Sequence, residues 1–445
     1  MRWQAKYVMS LTKIRFSYND MHQRKTTLIV SLFLNYFVFA ILLNSVGSVI
    51  LQVQATFSVS ASDASILEAY KDLSIAIASF LVAAFIARAG YKRSMLVALF
   101  AVFLFLLLMP QFPSMWMNKA LFALVGVSFA VVKVSIFSTI GLLTTGRREH
   151  ASMMSFLEAF FMVGVLSGYF LFSAFVDDSD SLSLAWYNVY YPISGIVLLA
   201  FLALLIAPLD EKSGKKQADI PALRSFVDML ALCKQPVVLV FVISVFLYVL
   251  IEQGIMSWLP TFNNSVLGLP ASLSIQMTSI LAASIAIGRL IAGYVVRKIG
   301  WYFLLCVCLG LSGLLVLSAL PLADAVAVTN VVTGWSDAPL AAFVFPLIGL
   351  CLSPIYPIIN SVVLSALPQT QHAPMTGLIV VFSALGGTLG SLITGTLFEV
   401  LGGSRAFYCS LVPLVGIFAA LYFLKQFSDR QAQNALTNQG EVQSV

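Results

Sequence analysis

Twelve stretches of this chain are long and apolar enough to cross a bilayer as helices, and that count constrains the fold more than any other feature. The hydrocarbon layer is about 30 Å thick and a helix rises about 1.5 Å per residue, so a span needs about 20 mainly apolar residues. The runs are 27–51, 66–87, 94–110, 118–145, 151–176, 188–207, 236–259, 273–296, 301–320, 339–366, 373–398 and 405–424. None shows the period-two alternation of a barrel strand. The chain is 60% hydrophobic and 10% charged, whereas a soluble domain is about 25% charged. A soluble enzyme, a nucleic-acid-binding domain and a disordered chain are excluded on that ground. The expectation is an all-α polytopic membrane protein in a lipid bilayer.

Basic residues sort to one side of these spans. The first 26 residues are polar and basic, and the apolar run after them is too long for a secretory signal, so a retained first helix is expected. Arg88, Lys92 and Arg93 follow span two, and Arg147 and Arg148 follow span four. Lys212, Lys215, Lys216, Arg224 and Lys234 follow span six, Arg297 and Lys298 span eight, and Lys425 and Arg430 span twelve. The opposite loops hold Lys119 and Arg405 beside Asp63, Asp177, Asp178, Asp180, Asp324 and Asp337. Cytoplasmic loops collect Lys and Arg, so both termini are expected in the cytoplasm, and the membrane is read as a bacterial inner membrane. The same asymmetry explains the net charge of +6 without nucleic acid.

The polar run around Asp210–Lys216 divides the spans six and six. The expected organisation is a cytoplasmic segment 1–26, a six-helix bundle 27–207, a linker 208–235, a second six-helix bundle 236–424 and a cytoplasmic tail 425–445. His150, Ala151, Met153, Phe160, Gly164 and Gly168 recur 222 residues later as His372, Ala373, Met375, Phe382, Gly386 and Gly390. Both stretches open the fifth span of their half. Parallel six-span repeats are a transporter plan with the substrate between the halves near the midplane. The Gly-x-x-x-Gly pairs let helices approach closely, either as static packing or as a sliding contact.

Ala83-x-x-x-Ala87-Arg88-Ala89-Gly90-Tyr91-Lys92-Arg93 follows span two, and Gly288 to Gly300, with Arg289, Gly293, Arg297 and Lys298, closes span eight. Layout and motif together resemble the major facilitator superfamily, whose fold is two six-helix bundles. The resemblance implies a gating role for Arg88, Gly90, Lys92, Arg93, Arg289 and Arg297. The superfamily's loop acid is replaced by Ala87 in the first copy and Arg297 in the second. The basic residues are then free to use helix C-terminal carbonyls or lipid phosphates, or simply to fix topology. Tyr248-Val-Leu-Ile-Glu252-Gln253-Gly254-Ile-Met-Ser-Trp258-Leu-Pro260 resembles the fucose-type sugar–proton symporter branch. That likeness implies proton-coupled import of a small polar solute. The branch is described as using acids in spans one and four, where this chain has Asn35 and Asn44, and Lys133.

Ionisable groups inside a bilayer cost at least ~2.5–3.5 kcal/mol each and therefore line water, pair together or carry function. Asp72 lies about 24 Å along its helix from Arg88, Lys133 about 21 Å from Arg147, and Glu158 about 15 Å from Arg148. Spans two, four and five adjoin in the family fold, so Lys133 is expected to bridge Asp72 and Glu158. Their counterparts in the second half are apolar where the offset applies: Ile355 for Lys133 and Val380 for Glu158. Either the set is a permanent ion pair, or it titrates as water reaches it from alternating sides. Burial favours a protonated acid and Lys133 an ionised one. Glu158 is the first choice for the ion carrier and Asp72 the second, with Lys133 regulating the acid or receiving the substrate. Glu68 and Lys71 lie nearer the surface and are read as snorkelling.

Asn35, Tyr36, Asn44, Lys133, Tyr248, Glu252, Gln253, Trp258, Tyr356 and Asn360 are the candidate substrate contacts. Interhelical hydrogen bonding is the alternative for each. Gly254 and Pro260 are expected to interrupt span seven, and Pro354 and Pro357 to bend span ten. The five cysteines read as small buried hydrophobes, and His22, His150 and His372 lack metal-ligand spacing. No metal or other cofactor is expected, and no Walker loop or catalytic signature is present. The sequence therefore points to a monomeric secondary transporter working by alternating access. It would import a small polar or anionic solute with protons, sodium being the other candidate ion. Proton-driven export of amphipathic compounds and a polytopic membrane enzyme are the alternatives.

Overall fold

The computed structural model describes residues 26–144, 146–209, 229–324, 332–367 and 369–443. The basic amino-terminal segment and most of the 208–235 linker lie outside the described residues, as do the side chains of Arg88, Arg147 and Arg148. Eleven described helices are long and apolar enough to cross a membrane. The first set comprises α1 (Thr26–Phe57), α3 (Tyr91–Leu108), α4 (Met115–Leu143), α5 (Arg147–Ser173) and α6 (Tyr190–Ile206). The 29-residue α2 (Ala61–Ala89) completes it. The second set comprises α7 (Pro236–Ser265), α8 (Ala271–Ile299), α9 (Trp301–Asp324), α10 (Ala341–Leu364), α11 (Gln369–Leu401) and α12 (Leu411–Gln443).

Local chemistry sets the helix ends. Ser60 and Ser114 accept hydrogen bonds from the Asp63 and Met117 amides at 3.1 and 3.2 Å and cap α2 and α4. α2 and α8 both stop at a glycine of positive φ, Gly90 at 97° and Gly300 at 79°. Glycine adopts that conformation without a Cβ clash, so the chain reverses into the next helix within one residue.

The two sets repeat one packing scheme. In each, the second and third helices pack on the fourth and the third on the sixth. A side chain at Gly164 of α5 would meet the Phe37 carbonyl of α1 at 2.7 Å, and one at Gly386 of α11 would meet the Phe246 carbonyl of α7 at 2.5 Å. Glycine therefore brings the fifth helix of each set backbone-to-backbone against the first. Large apolar side chains line the perimeter: Val97 is 70% exposed, Leu290 78% and Val412 75%. A surface so apolar is stable only under lipid.

α10 breaks at Ser353–Pro354, as its prolines foretell. α7 does not break: it runs through Gly254 and Pro260 without interruption. Proline removes one backbone hydrogen bond and leaves the carbonyl four residues earlier without its donor. Here Gly47 of α1 lies directly over the Met256 and Ser257 carbonyls, so close packing covers the defect.

Basic loops such as Gly90–Arg93 lie on one face of the bundle and acidic loops on the other; these are called the basic and acidic faces. Among the described residues the sets meet chiefly where α2 packs on α11, α5 on α8 and α1 on α7. At the acidic face each set caps a helix of the other. Asp178, after α5, accepts from the Ser272 amide at 2.9 Å and from its hydroxyl, at the start of α8. Glu399, in α11, accepts from the Ser62 amide at 3.2 Å, at the start of α2. A carboxylate suits a helix start because the free amides and the helix dipole are positive there.

Candidate functional site

Four charged side chains converge where the two sets meet. α4 supplies Lys133, held between Phe129 and Phe137, one turn to either side, with its ammonium 5.6 and 5.7 Å from their ring centres. Residues four apart share a helix face, and an aromatic face attracts a cation. α5 supplies Glu158, whose carboxylate accepts a hydrogen bond of 3.1 Å from the Tyr36 hydroxyl of α1. Tyr36 is 2% exposed, with its ring centre 4.8 Å from that of Phe161. Lys133 lies in the field of Glu158.

The second set presents a matching pair. On α7 the Tyr248 hydroxyl donates to Glu252 at 2.7 Å. The Arg289 guanidinium of α8 lies 3.8 Å from the same carboxylate and also feels Glu158. Tyr248 stacks on Tyr356 of α10 at 5.6 Å and 29°. The Tyr356 hydroxyl lies beside Ser383 and Asn360, and the buried Asn360 Oδ1 has no hydrogen-bond partner. The charges thus sum to zero across the seam, and the Tyr36 and Tyr248 hydroxyls each donate to one of the carboxylates.

Water access to this cluster is one-sided. From Ser152 to Phe160, α5 is exposed around most of its circumference, and so is α8 from Ile287 onward. Toward the acidic face both become buried. Glu158 is exposed at mid-helix and the Arg289 side chain is 40% exposed, so the space between the sets opens toward the basic face. A groove of about 810 Å³ between the starts of α1 and α5 lies beside this opening. Ile29, Phe33, Met153 and Phe156 line it, and none of the four charges reaches it.

The structure does not bring Asp72 to Lys133. Asp72 is one of three charges on one turn of α2, where Lys71 pairs with Glu68 and lies 3.4 Å from Asp72. The snorkelling expected of Glu68 and Lys71 is also absent: they are 0% and 4% exposed, and Asp72 is 8% exposed. The rotation of α2 turns this face onto α7 and α11. The Ser257 hydroxyl donates to Glu68 at 3.0 Å, and Gly387 packs on the Asp72 carboxylate. Gln253 lies against Gly387 at the same seam. Trp258 is buried there too, its indole donating to the Ser391 carbonyl at 3.0 Å.

Arg289 is the residue most displaced from expectation. It belongs to the central cluster, two turns from Arg297, rather than to a surface gate. Its distance from Arg297, about 12 Å along the helix, gives the same depth signal that flagged Glu158. Asn35 and Asn44 donate to the Ser31 and Ala40 carbonyls of their own helix, at 2.6 and 2.9 Å. Neither joins the cluster through those bonds. Lys92 donates to the Ala207 and Leu205 carbonyls at 2.6 and 3.0 Å, at the C-terminal end of α6. Arg93 and Arg297 are exposed on the basic face. Ser179 and Thr333 hold the loop acids Asp177 and Asp337 below the usual carboxylate range by hydrogen bonding. Among the described residues no group of His, Cys, Asp and Glu is arranged to hold a metal ion.

Two six-helix sets that repeat one packing scheme, with a polar cluster at their seam, define a membrane carrier of small solutes. The Major Facilitator Superfamily profile matches residues 28–391, and the chain belongs to that superfamily. It is an integral membrane transporter, not an enzyme. Among solved structures, the nucleoside transporter NupG aligns with a TM-score of 0.68 at 15% identity, covering 90% of this chain and 98% of that one. A bacterial homologue of the human lysosomal transporter Spinster, inward-facing and occupied, aligns with a TM-score of 0.71 at 13% identity, covering 90% and 97%. No curated protein shows significant sequence similarity to the chain.

Proposed function

We propose that this transporter imports a small polar solute together with protons, by rocking residues 27–207 against residues 236–424. The observation that carries this reading is the meeting of Lys133, Glu158, Glu252 and Arg289 at the seam. With Glu158 ionised their charges cancel, so in that state a net anion or cation would leave the cluster unbalanced. A neutral, hydrogen-bonding solute or a zwitterion exchanges partners with each ion and leaves no charge stranded. The stacked Tyr248 and Tyr356 rings favour a flat or cyclic solute. Export of amphipathic compounds fits less well, because the cluster has paired ions and several hydroxyls rather than a lone acid among aromatics.

Glu158 is the proton carrier in this scheme. It is accessible from the basic face, and opening toward the opposite face would expose it to the other bath. Positive-inside topology makes the basic face cytoplasmic. Sodium is the other candidate ion, and the carrier acts as a monomer in a bacterial inner membrane.

Uptake into proteoliposomes tests the reading. A panel of sugars, nucleosides, amino acids and organic anions is offered with the outer bath more acidic, and again without a gradient. Concentrative uptake of a neutral or zwitterionic compound is expected, abolished by a protonophore. Glu158→Gln should reduce gradient-driven uptake at least about tenfold while sparing exchange, in which the proton need not leave. Uptake indifferent to the gradient, or an unchanged pH dependence in the variant, would overturn proton coupling at Glu158.

A further inference from the structure

We propose that Glu68, Lys71 and Asp72 form a second proton-binding site, separate from the central cluster, whose occupancy holds the acidic-face seam closed. The proposal rests on the alternating-access reading above and adds to it the group that senses the external bath.

The cluster is unbalanced as well as buried. Two carboxylates share one ammonium on one turn of α2, and none of the three residues is more than 8% exposed. Fully ionised, the trio carries one net negative charge into a site buried from solvent. A buried carboxylate in excess of its counter-ions takes up a proton to become neutral. One proton on either acid leaves one carboxylate for Lys71 and cancels the charge.

Among the described residues the surroundings offer no substitute cation. From α7, Ser257 donates a hydroxyl to Glu68 and Gln253 lies near the Asp72 side. α11 contributes the bare backbone of Gly387 against Asp72, and α4 contributes Gly126 against the Lys71 carbonyl. α5 turns the buried Tyr169 toward Glu68, and the Tyr169 hydroxyl has no hydrogen-bond partner. The charged groups nearby are engaged elsewhere: Lys119 of α4 stands over the Tyr70 and Trp116 rings, and Glu252 of α7 faces Tyr248 and Arg289.

The site is also built from both sets of helices. Glu68 is bonded to α7 and Asp72 is covered by α11, so it exists in this form only while the seam is shut. Parting α2 from α7 and α11 would let water solvate both carboxylates and remove the need for the proton. Closure and proton uptake are therefore linked: whatever favours one favours the other. A proton taken from the acidic-face bath would lock that side while the basic side opens to release solute.

The test follows the seam as pH changes. Phe112 and Leu340 lie at the acidic face in different sets and are 62% and 63% exposed. Both are replaced by Cys in a full-length chain lacking its five native cysteines, spin-labelled and placed in lipid nanodiscs. Pulsed electron–electron distances are recorded between pH 5.5 and 8.5. The shorter, closed population is expected to grow as pH falls, with a slope of about one proton. Glu68→Gln and Asp72→Asn each remove the excess charge, so each should leave the seam closed throughout the range. Asp180→Asn, at an exposed acid of the loop after α5, should keep the parent's pH response. If one of the neutral variants does not yield folded protein, the other decides. A parent pH response that survives Glu68→Gln or Asp72→Asn overturns the site. A closed population that ignores pH in the parent also overturns it, and gradient-driven uptake by the same parent protein would then leave the transport reading standing.

Discussion

The central and acidic-face clusters are made of the same kinds of side chain and differ in two respects, charge balance and water. Lys133, Glu158, Glu252 and Arg289 come from four helices and sum to zero, and Glu158 and Arg289 are exposed to an opening. Glu68, Lys71 and Asp72 come from one turn of one helix, do not sum to zero and are sealed. A balanced cluster in reach of water can exchange partners with a solute at small cost. An unbalanced one in a dry site must alter its own protonation or its surroundings. Depth in the membrane does not separate the two; access and counting do.

The sharpest way to break that distinction is to remove one lysine from each cluster. Lys71→Met leaves the buried acids of α2 without their cation and should destabilise the protein by about 3–5 kcal/mol at neutral pH, the usual cost of breaking a buried pair from one side. Lys133→Met leaves Glu158 its tyrosine and its opening and should cost no more than about 1 kcal/mol. Thermal unfolding of both in the same detergent checks this, and equal losses would erase the difference between wet and dry. Next in size is Arg289→Ala. It removes the cation that touches Glu252 and reaches toward Glu158, so initial uptake should fall about tenfold, equivalent to about 1.4 kcal/mol, with little change in unfolding temperature. A large fall in stability with normal uptake would make Arg289 a packing residue. The smallest effects belong to the exposed caps. Asp178→Asn and Glu399→Gln should each shift the closed-to-open ratio at the acidic face about two- to fivefold, and the pair should act additively. Spin-label distances across that face measure both.

Much of the architecture is legible in the sequence. Twelve apolar runs, a polar break after the sixth and the 222-residue repeat locate the helices and their order. Gly164 and Gly386 fall where the repeat puts them, at equivalent helix crossings. Helix rotation was much less legible, and there is a physical reason. In a soluble bundle the apolar stripe reports which side faces the core. Here lipid is as apolar as the interior, so hydropathy carries little of that information. Depth alone therefore matches Asp72 with Lys133, and the rotation of α2 that sends Asp72 to α11 leaves no mark in the hydropathy. Arg289 was hidden for a different reason: it sits within a motif whose other basic residues line the membrane surface.

The reciprocal caps of Asp178 on α8 and Glu399 on α2 lie at opposite corners of one face. Each bolts the start of a helix in one half to the end of a helix in the other, so together they act like two latches on a double door. With both undone, the leaves can separate evenly. With one undone, the survivor becomes a pivot, and the motion turns from a rock into a lopsided swing that uncovers one edge of the passage before the other.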